Sequence, residues 1–218
     1  MTKPRVIETD NGIQGPDVEI FDKMARRMRD KGWIETDMVI KSGISYGLSL
    51  EVGPGPGYVG LEWLKRTEGT QLKGLDISAE MVQAAEQNAK EYGLEKRVEY
   101  VISSAVKMPF DDNTFDGVFS TGSLHEWSQP EKVFNEINRV LKTGGKYFVS
   151  DLRRDMNPVV KFLMKLLTKP KEIKPGLESS INASYTASEI RQILSSKTMK
   201  SFNIKKDFMG LSITGEKL

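Results

Sequence analysis

The stretch from Leu48 to Gly57, LSLEVGPGPG, constrains the chain more than any other: a short apolar run closes on a carboxylate and then on three glycines at alternate positions. A strand followed by closely spaced glycines and a helix lets a ligand approach the main chain without meeting Cβ atoms, beside the positive end of that helix. Spacing alone leaves the ligand open. Gly53, Gly55 and Gly57 spell G-x-G-x-G, while Gly55, Gly57 and Gly60 spell G-x-G-x-x-G, the dinucleotide fingerprint. Glu51 discriminates between them. A pyrophosphate over the turn would meet its carboxylate at a cost of order ~1 kcal/mol at ~4 Å, more as water is excluded. A phosphate-free ligand with a cationic end would be attracted instead. A second acid, Asp76, ends the next strand, where a carboxylate can accept hydrogen bonds from ribose hydroxyls. The ligand expected here has a ribose and a positive end. Pro54 and Pro56 hold φ near about −65° between the glycines and pre-set the loop.

Strand-like and helix-like segments alternate after this loop at α/β spacing. Leu48 to Val52, Thr70 to Asp76, Val98 to Ile102, Phe115 to Ser120 and Lys146 to Ser150 read as strands. Tyr58 to Lys65 follows the first, and a helix capped by Ser78 and stopped by Gly93 follows the second. A helix opening at Pro130 with Val133, Phe134, Ile137, Val140 and Leu141 on one stripe, ended by Gly144-Gly145, precedes the fifth. Strands joined through single helices give right-handed crossovers, hence a doubly wound α/β fold with a mainly parallel sheet. Helices near Asp17 to Lys31 and Glu35 to Lys41 precede the first strand as a cap over residues 1–47. The core spans 48–151 and an inserted helical segment 152–185. A capped helix at Thr186 to Leu194 and two strands near Phe202 to Lys206 and Phe208 to Ile213 complete 186–218, giving a single domain. Within the insert, Val159, Val160, Leu163, Leu166 and Leu167 are expected on one buried stripe, widened by Phe162 and Met164; a lid or a membrane contact is the alternative.

Lys and Arg total 32 against 30 Asp and Glu, so a net charge of +2 supplies no global field for nucleic acid or membrane. Arg26, Arg27 and Arg29 lack the interleaved aromatics of a nucleic-acid surface. The absence of cysteine excludes disulfides and thiolate chemistry and accords with a reducing cytoplasm. No apolar signal-peptide core and no transmembrane run is evident, and no cluster of ligand-type residues points to a metal. The single histidine, His125, follows the fourth strand beside Glu126; either is a candidate to take a proton from a nucleophile, the alternative for His125 being a loop-orienting role.

LEVGPGPG followed by GLDIS, ISSAVKMPFDDNTFD, FSTGSLHEW and RVLKTGGKYFVSD resembles the class I S-adenosylmethionine-dependent methyltransferases, most of all the ubiquinone/menaquinone-biosynthesis type of small-molecule enzyme. The resemblance covers about residues 48–151. It implies a seven-stranded Rossmann-like sheet, S-adenosyl-L-methionine as cofactor, S-adenosyl-L-homocysteine as product, and a small-molecule acceptor. Carried over by position, Glu51, Gly53, Pro54 and Gly55 embrace the amino-acid end of the cofactor, Asp76 holds the ribose, and Ile77 and Met81 lie beside adenine. Ser104 stands where many relatives have an aspartate that receives the adenine amino group, so the neighbouring Ala105 amide carries more of that contact; Ser120 lends its backbone near the methionine portion. The rival readings are an RNA or protein methyltransferase, a non-catalytic cofactor-binding module, and a nicotinamide-dependent oxidoreductase, which Glu51 disfavours.

Overall fold

The computed structural model describes residues 3–7, 12–169, 171–195, 199 and 201–218. Seven strands form one sheet: β1 (Leu48–Val52), β2 (Gln71–Asp76), β3 (Val98–Ile102), β4 (Phe115–Thr121), β5 (Leu141–Leu152), β6 (Phe202–Lys206) and β7 (Gly210–Glu216). Their order is β3-β2-β1-β4-β5-β7-β6. β1 to β5 pair in parallel, and the only antiparallel pairings are those of β7 with β5 and β6, so the sheet is the mainly parallel, doubly wound one expected. The chain leaves β1 towards β2 and β3 and then returns to the opposite side with β4. Loops on the two sides of that switch point diverge, which opens a crevice at the carboxyl ends of the strands.

The helices are α1 (Pro16–Asp30), α2 (Thr36–Lys41), α3 (Tyr58–Arg66), α4 (Ala79–Tyr92), α5 (Pro130–Val140), α6 (Pro158–Leu167), α7 (Lys174–Ala183) and α8 (Ala187–Ser195), with 3-10 turns at Leu124–Glu126 and Lys171–Ile173. Leu50, Val52 and Val118 pack with Phe134, Ile137 and Ile190 on one side of the sheet. Phe119, Phe148 and Leu72 pack with Trp63 and Leu64 on the other. The expected stripe of α5 is the one it buries. Ser78 caps α4 by accepting the Met81 amide at 3.2 Å, and Gly93 closes it at φ 66°.

Two expectations are corrected and one helix is added. α5 stops at Val140 rather than at Gly144-Gly145, because Leu141 is already extended and paired with Phe115, and the glycines sit in a register shift within β5. α7 is a second helix of the inserted segment, one that the sequence reading did not mark; Pro175 occupies its first turn, where its missing N–H costs nothing. Most of the supposed buried stripe of α6 faces water: Val159, Leu163, Leu166 and Leu167 are exposed, with Phe162 beside them, and no residue of the helix is buried.

Candidate functional site

The loops that follow β1, β2, β3 and β4 meet at the crevice. Gly53 adopts φ 68° and Gly57 φ 85°, left-handed values that favour glycine, and a Cβ on Gly53 would strike Ser123. The Gly53 amide donates to Leu75 O at 2.9 Å, and Gly57 N to Pro54 O at 2.9 Å, which closes the turn. Asp76 joins two loops. Its Oδ2 accepts the Gly55 amide at 3.1 Å and its Oδ1 the Ser78 amide at 2.9 Å. Burial raises its pKa, against the pull of the Ser78, Gly55 and Ile77 amides. Asn88, buried on α4, braces the loop from below by donating to Pro56 O at 2.9 Å and to Asp22 Oδ1 of α1 at 3.0 Å.

Glu51 lies beneath the loop rather than on its open side. It is 1% exposed, the Gly60 amide donates to its carboxylate, and Oε2 has no partner among the described residues. Gly60 makes this possible, since a Cβ there would collide with Glu51 and Leu72. Desolvation, opposed by that amide and reinforced by Asp76, lifts the carboxyl pKa to about 8.

Ile77 is 44% exposed and Met81 only 2%, so Ile77 alone of the pair offers a surface to the crevice while Met81 fills the core. Ser103 N donates to Asp76 O at 2.9 Å, which sets Ser104 and Ala105 beside the end of β2; the Ser104 hydroxyl lies 3.5 Å from Val106 N. Ser120 is buried, and its hydroxyl donates to Val52 O at 2.7 Å and lies 2.7 Å from Ser123 Oγ, so it ties β4 to β1.

His125 stands two residues beyond the serine that abuts Gly53. Asp151, at the end of β5, accepts its amide at 2.6 Å on Oδ2, and its Nδ1 lies 2.9 Å from the same oxygen. A carboxylate there favours the tautomer that carries the proton on Nδ1. The side chain is 9% exposed. Glu126 is half-buried in the same 3-10 turn. Glu35, just before α2, accepts from Ser150 Oγ at 2.5 Å. Burial raises its pKa, Ser150 opposes, and Asp151 and Asp207 add to the rise.

Sequence reasoning missed Asp151 as the partner of His125, although an acid closing the fifth strand as Asp76 closes the second was the available signal. It placed a cap over residues 1–47 without naming the contacts that this segment makes. Ser78 Oγ donates to Ile13 O at 2.6 Å, Gly15 N bonds to Glu80, and Phe21 of α1 lies against Gly55. Arg5 reaches His125 O at 2.7 Å. No local pattern marks these tertiary contacts. Away from the crevice, a groove of about 740 Å³ runs between the last turns of α1, α3 and α4. Its charges are matched in pairs, Lys65 with Glu62 and Arg66 with Asp37, which leaves no unmet demand for a ligand. Among the described residues no group of three or more His, Asp or Glu is placed to hold a metal, and no helix is long and apolar enough to cross a membrane.

Residues 50–149 match the family model of a methyltransferase domain. Methyltransferase GfsG of Streptomyces halstedii is 29% identical over 153 residues, 68% of this chain and 53% of the relative. The ubiquinone/menaquinone biosynthesis C-methyltransferase UbiE of Cereibacter sphaeroides is 28% identical over 113 residues, 52% of this chain and 45% of the relative. The chain thus spans about half the length of these curated relatives. Among solved structures, a SAM-dependent methyltransferase from Aquifex aeolicus superposes with a TM-score of 0.72 at 21% identity, covering 95% of this chain and all of the other, and so shares the fold.

Proposed function

We propose that this chain, built around the methyltransferase domain of residues 50–149, transfers a methyl group from S-adenosyl-L-methionine to a small-molecule acceptor and releases S-adenosyl-L-homocysteine. One observation carries the reading: the matched stretch coincides with β1 to β5, the run whose loops build the crevice. The donor set there suits a nucleoside with a cationic tail and not a pyrophosphate. Two buried carboxylates, Glu51 and Asp76, flank the glycine loop, and residues 48–60 contain no Lys or Arg.

The bound cofactor supplies an electrophilic methyl carbon on a sulfonium leaving group. Asp76 would accept from ribose hydroxyls beside the Gly55 amide that it already holds. Ile77 would cover one adenine face with Met81 packed behind it, and Ala105 N, next to Ser104, would meet the adenine edge. Glu51 would act on the ammonium from beneath Gly53 and Pro54, and Ser120 would fix the strand end near the methionine portion. The acceptor's lone pair forms the new bond to carbon as the carbon–sulfur pair returns to sulfur. Alignment supplies most of the rate, and where the nucleophile carries a proton, His125, its ring held by Asp151, is the candidate to take it, with Glu126 as the alternative. The reading treats residues 1–218 as one domain with 1–47 and 152–185 covering the crevice, and sets it in the cytoplasm, which the cysteine-free composition supports.

Calorimetric titration with S-adenosyl-L-homocysteine, followed by incubation of the protein and cell extract with methyl-labelled S-adenosyl-L-methionine, tests this. Binding and label in the low-molecular-weight fraction are expected, with His125→Gln slowing transfer by roughly a hundredfold or more while binding persists. Label in RNA or protein moves the acceptor to that class, and binding without turnover makes the chain a non-catalytic module. No binding at millimolar ligand ends the proposal.

A further inference from the structure

α6 presents to water the face that a helix ordinarily turns inward. Val159, Phe162, Leu163, Leu166 and Leu167 recur at i, i+3, i+4, i+7 and i+8, a stripe about 140° wide at 100° per residue. They are 63%, 65%, 47%, 58% and 73% exposed. The helix is held to the body by another flank. Lys161 Nζ donates to Arg154 O at 2.6 Å, and Lys165 pairs with Glu178 of α7 at 2.7 Å. The polar flank anchors the helix and the apolar flank is left outward, the reverse of an ordinary surface helix.

The charges around the stripe have one prevailing sign. Apart from the two anchoring lysines, one of them already paired with Glu178, Lys169, Lys171 and Lys174 follow the helix against the single acid Glu172. At the same end of the sheet the β6–β7 turn carries Phe208, 66% exposed, and is tied to the start of this segment by Arg153 N donating to Met209 O at 3.2 Å. A second copy of the chain laid stripe to stripe would bring lysine against lysine. An anionic lipid surface complements both features at once, with acyl chains for the stripe and headgroup charge for the lysines. Ten residues rise about 15 Å, half of what spanning requires, so the helix fits the plane of the interface and not the normal to it.

We propose that α6, with the β6–β7 turn beside it, docks the protein onto an anionic bilayer surface by laying the Val159–Leu167 stripe into the headgroup boundary. Docking is independent of the methyl-transfer reading and is measured without cofactor. The test is cosedimentation with vesicles of phosphatidylcholine alone and of equal parts phosphatidylcholine and phosphatidylglycerol, using wild type and the Phe162→Ser/Leu166→Ser double variant. Both sites are exposed, so circular dichroism and melting should be unchanged. Wild type is expected to partition onto the anionic vesicles, less so at high salt, and the double variant to lose roughly tenfold or more of that partition. Three results overturn the proposal: wild type remaining in the supernatant with anionic vesicles at low salt, equal sedimentation of the double variant, or a wild-type dimer in analytical ultracentrifugation that the double variant abolishes.

Discussion

At Glu51 burial and charge oppose each other. The sequence sets an acid beside the loop and suggests a charge facing the ligand; the structure encloses that acid under Gly60 and lifts its pKa from 4.5 to about 8. The native state therefore binds a proton that the unfolded chain releases near 4.5. The stability this contributes is complete below that value and is lost as pH rises through about 8. Glu51→Gln removes the linkage. Relative to wild type the variant should gain about 1.4 kcal/mol per pH unit between roughly pH 5 and 8. Denaturant unfolding at pH 5.5 and pH 7.5 measures it, and an unchanged difference between the two would mean that the carboxyl is not neutral in the fold. A ligand ammonium beside the loop would draw the proton off again, so the residue that opposes ionisation in the empty fold is suited to answer a cation.

At the scale of elements, periodicity identified the members and left their facing unsettled. β1, β3 and β6 have the bounds the sequence suggested, because apolar runs between turn residues are local signals. For α6 the 3.6-residue period told which side chains share a stripe, yet only the missing neighbour shows that the stripe meets water. The N-terminal arm was illegible for a related reason: its order comes from a staple made elsewhere. Arg154, 4% exposed, donates to Lys3 O at 2.8 Å, to Ser184 O, and to Glu189 of α8 at 2.5 Å. Glu189 in turn accepts from Thr186 N at 2.8 Å to cap that helix. Replacing the guanidinium by a thioether, Arg154→Met, strands two carbonyls and loosens the arm from α7. A loss of about 2 kcal/mol is expected, allowing for the partial exposure of Glu189. Urea unfolding checks the magnitude. Faster hydrogen exchange at Val6 N, which donates to Asn182 O at 3.1 Å, checks the route; unaltered exchange there would separate the arm from the staple.

At the scale of the molecule, one crevice gathers groups from both halves of the sheet. The loop after β1 and the acid after β2 lie on one side of the switch point, His125 and Asp151 on the other, and residues 12–15 lie over Ser78. A ligand that needs all of them adds links across the switch point to those that Gly53 and Ser123 already make, so its binding should register as global stability. At a hundredfold excess over Kd the gain is about 2.7 kcal/mol, which for a chain of this size corresponds to a rise in melting temperature of roughly 5–10 °C. S-adenosyl-L-homocysteine should produce it and NADH should not, since residues 48–60 hold no Lys or Arg to offset a pyrophosphate over the glycine loop. Differential scanning calorimetry with each ligand decides between the two. Hydrogen exchange with the homocysteine product should show protection at Gly55 and in residues 12–15 and 103–105, the segments that border Asp76. Protection confined to α6 and α7 would instead place the ligand under the cap and remove the glycine loop from the account.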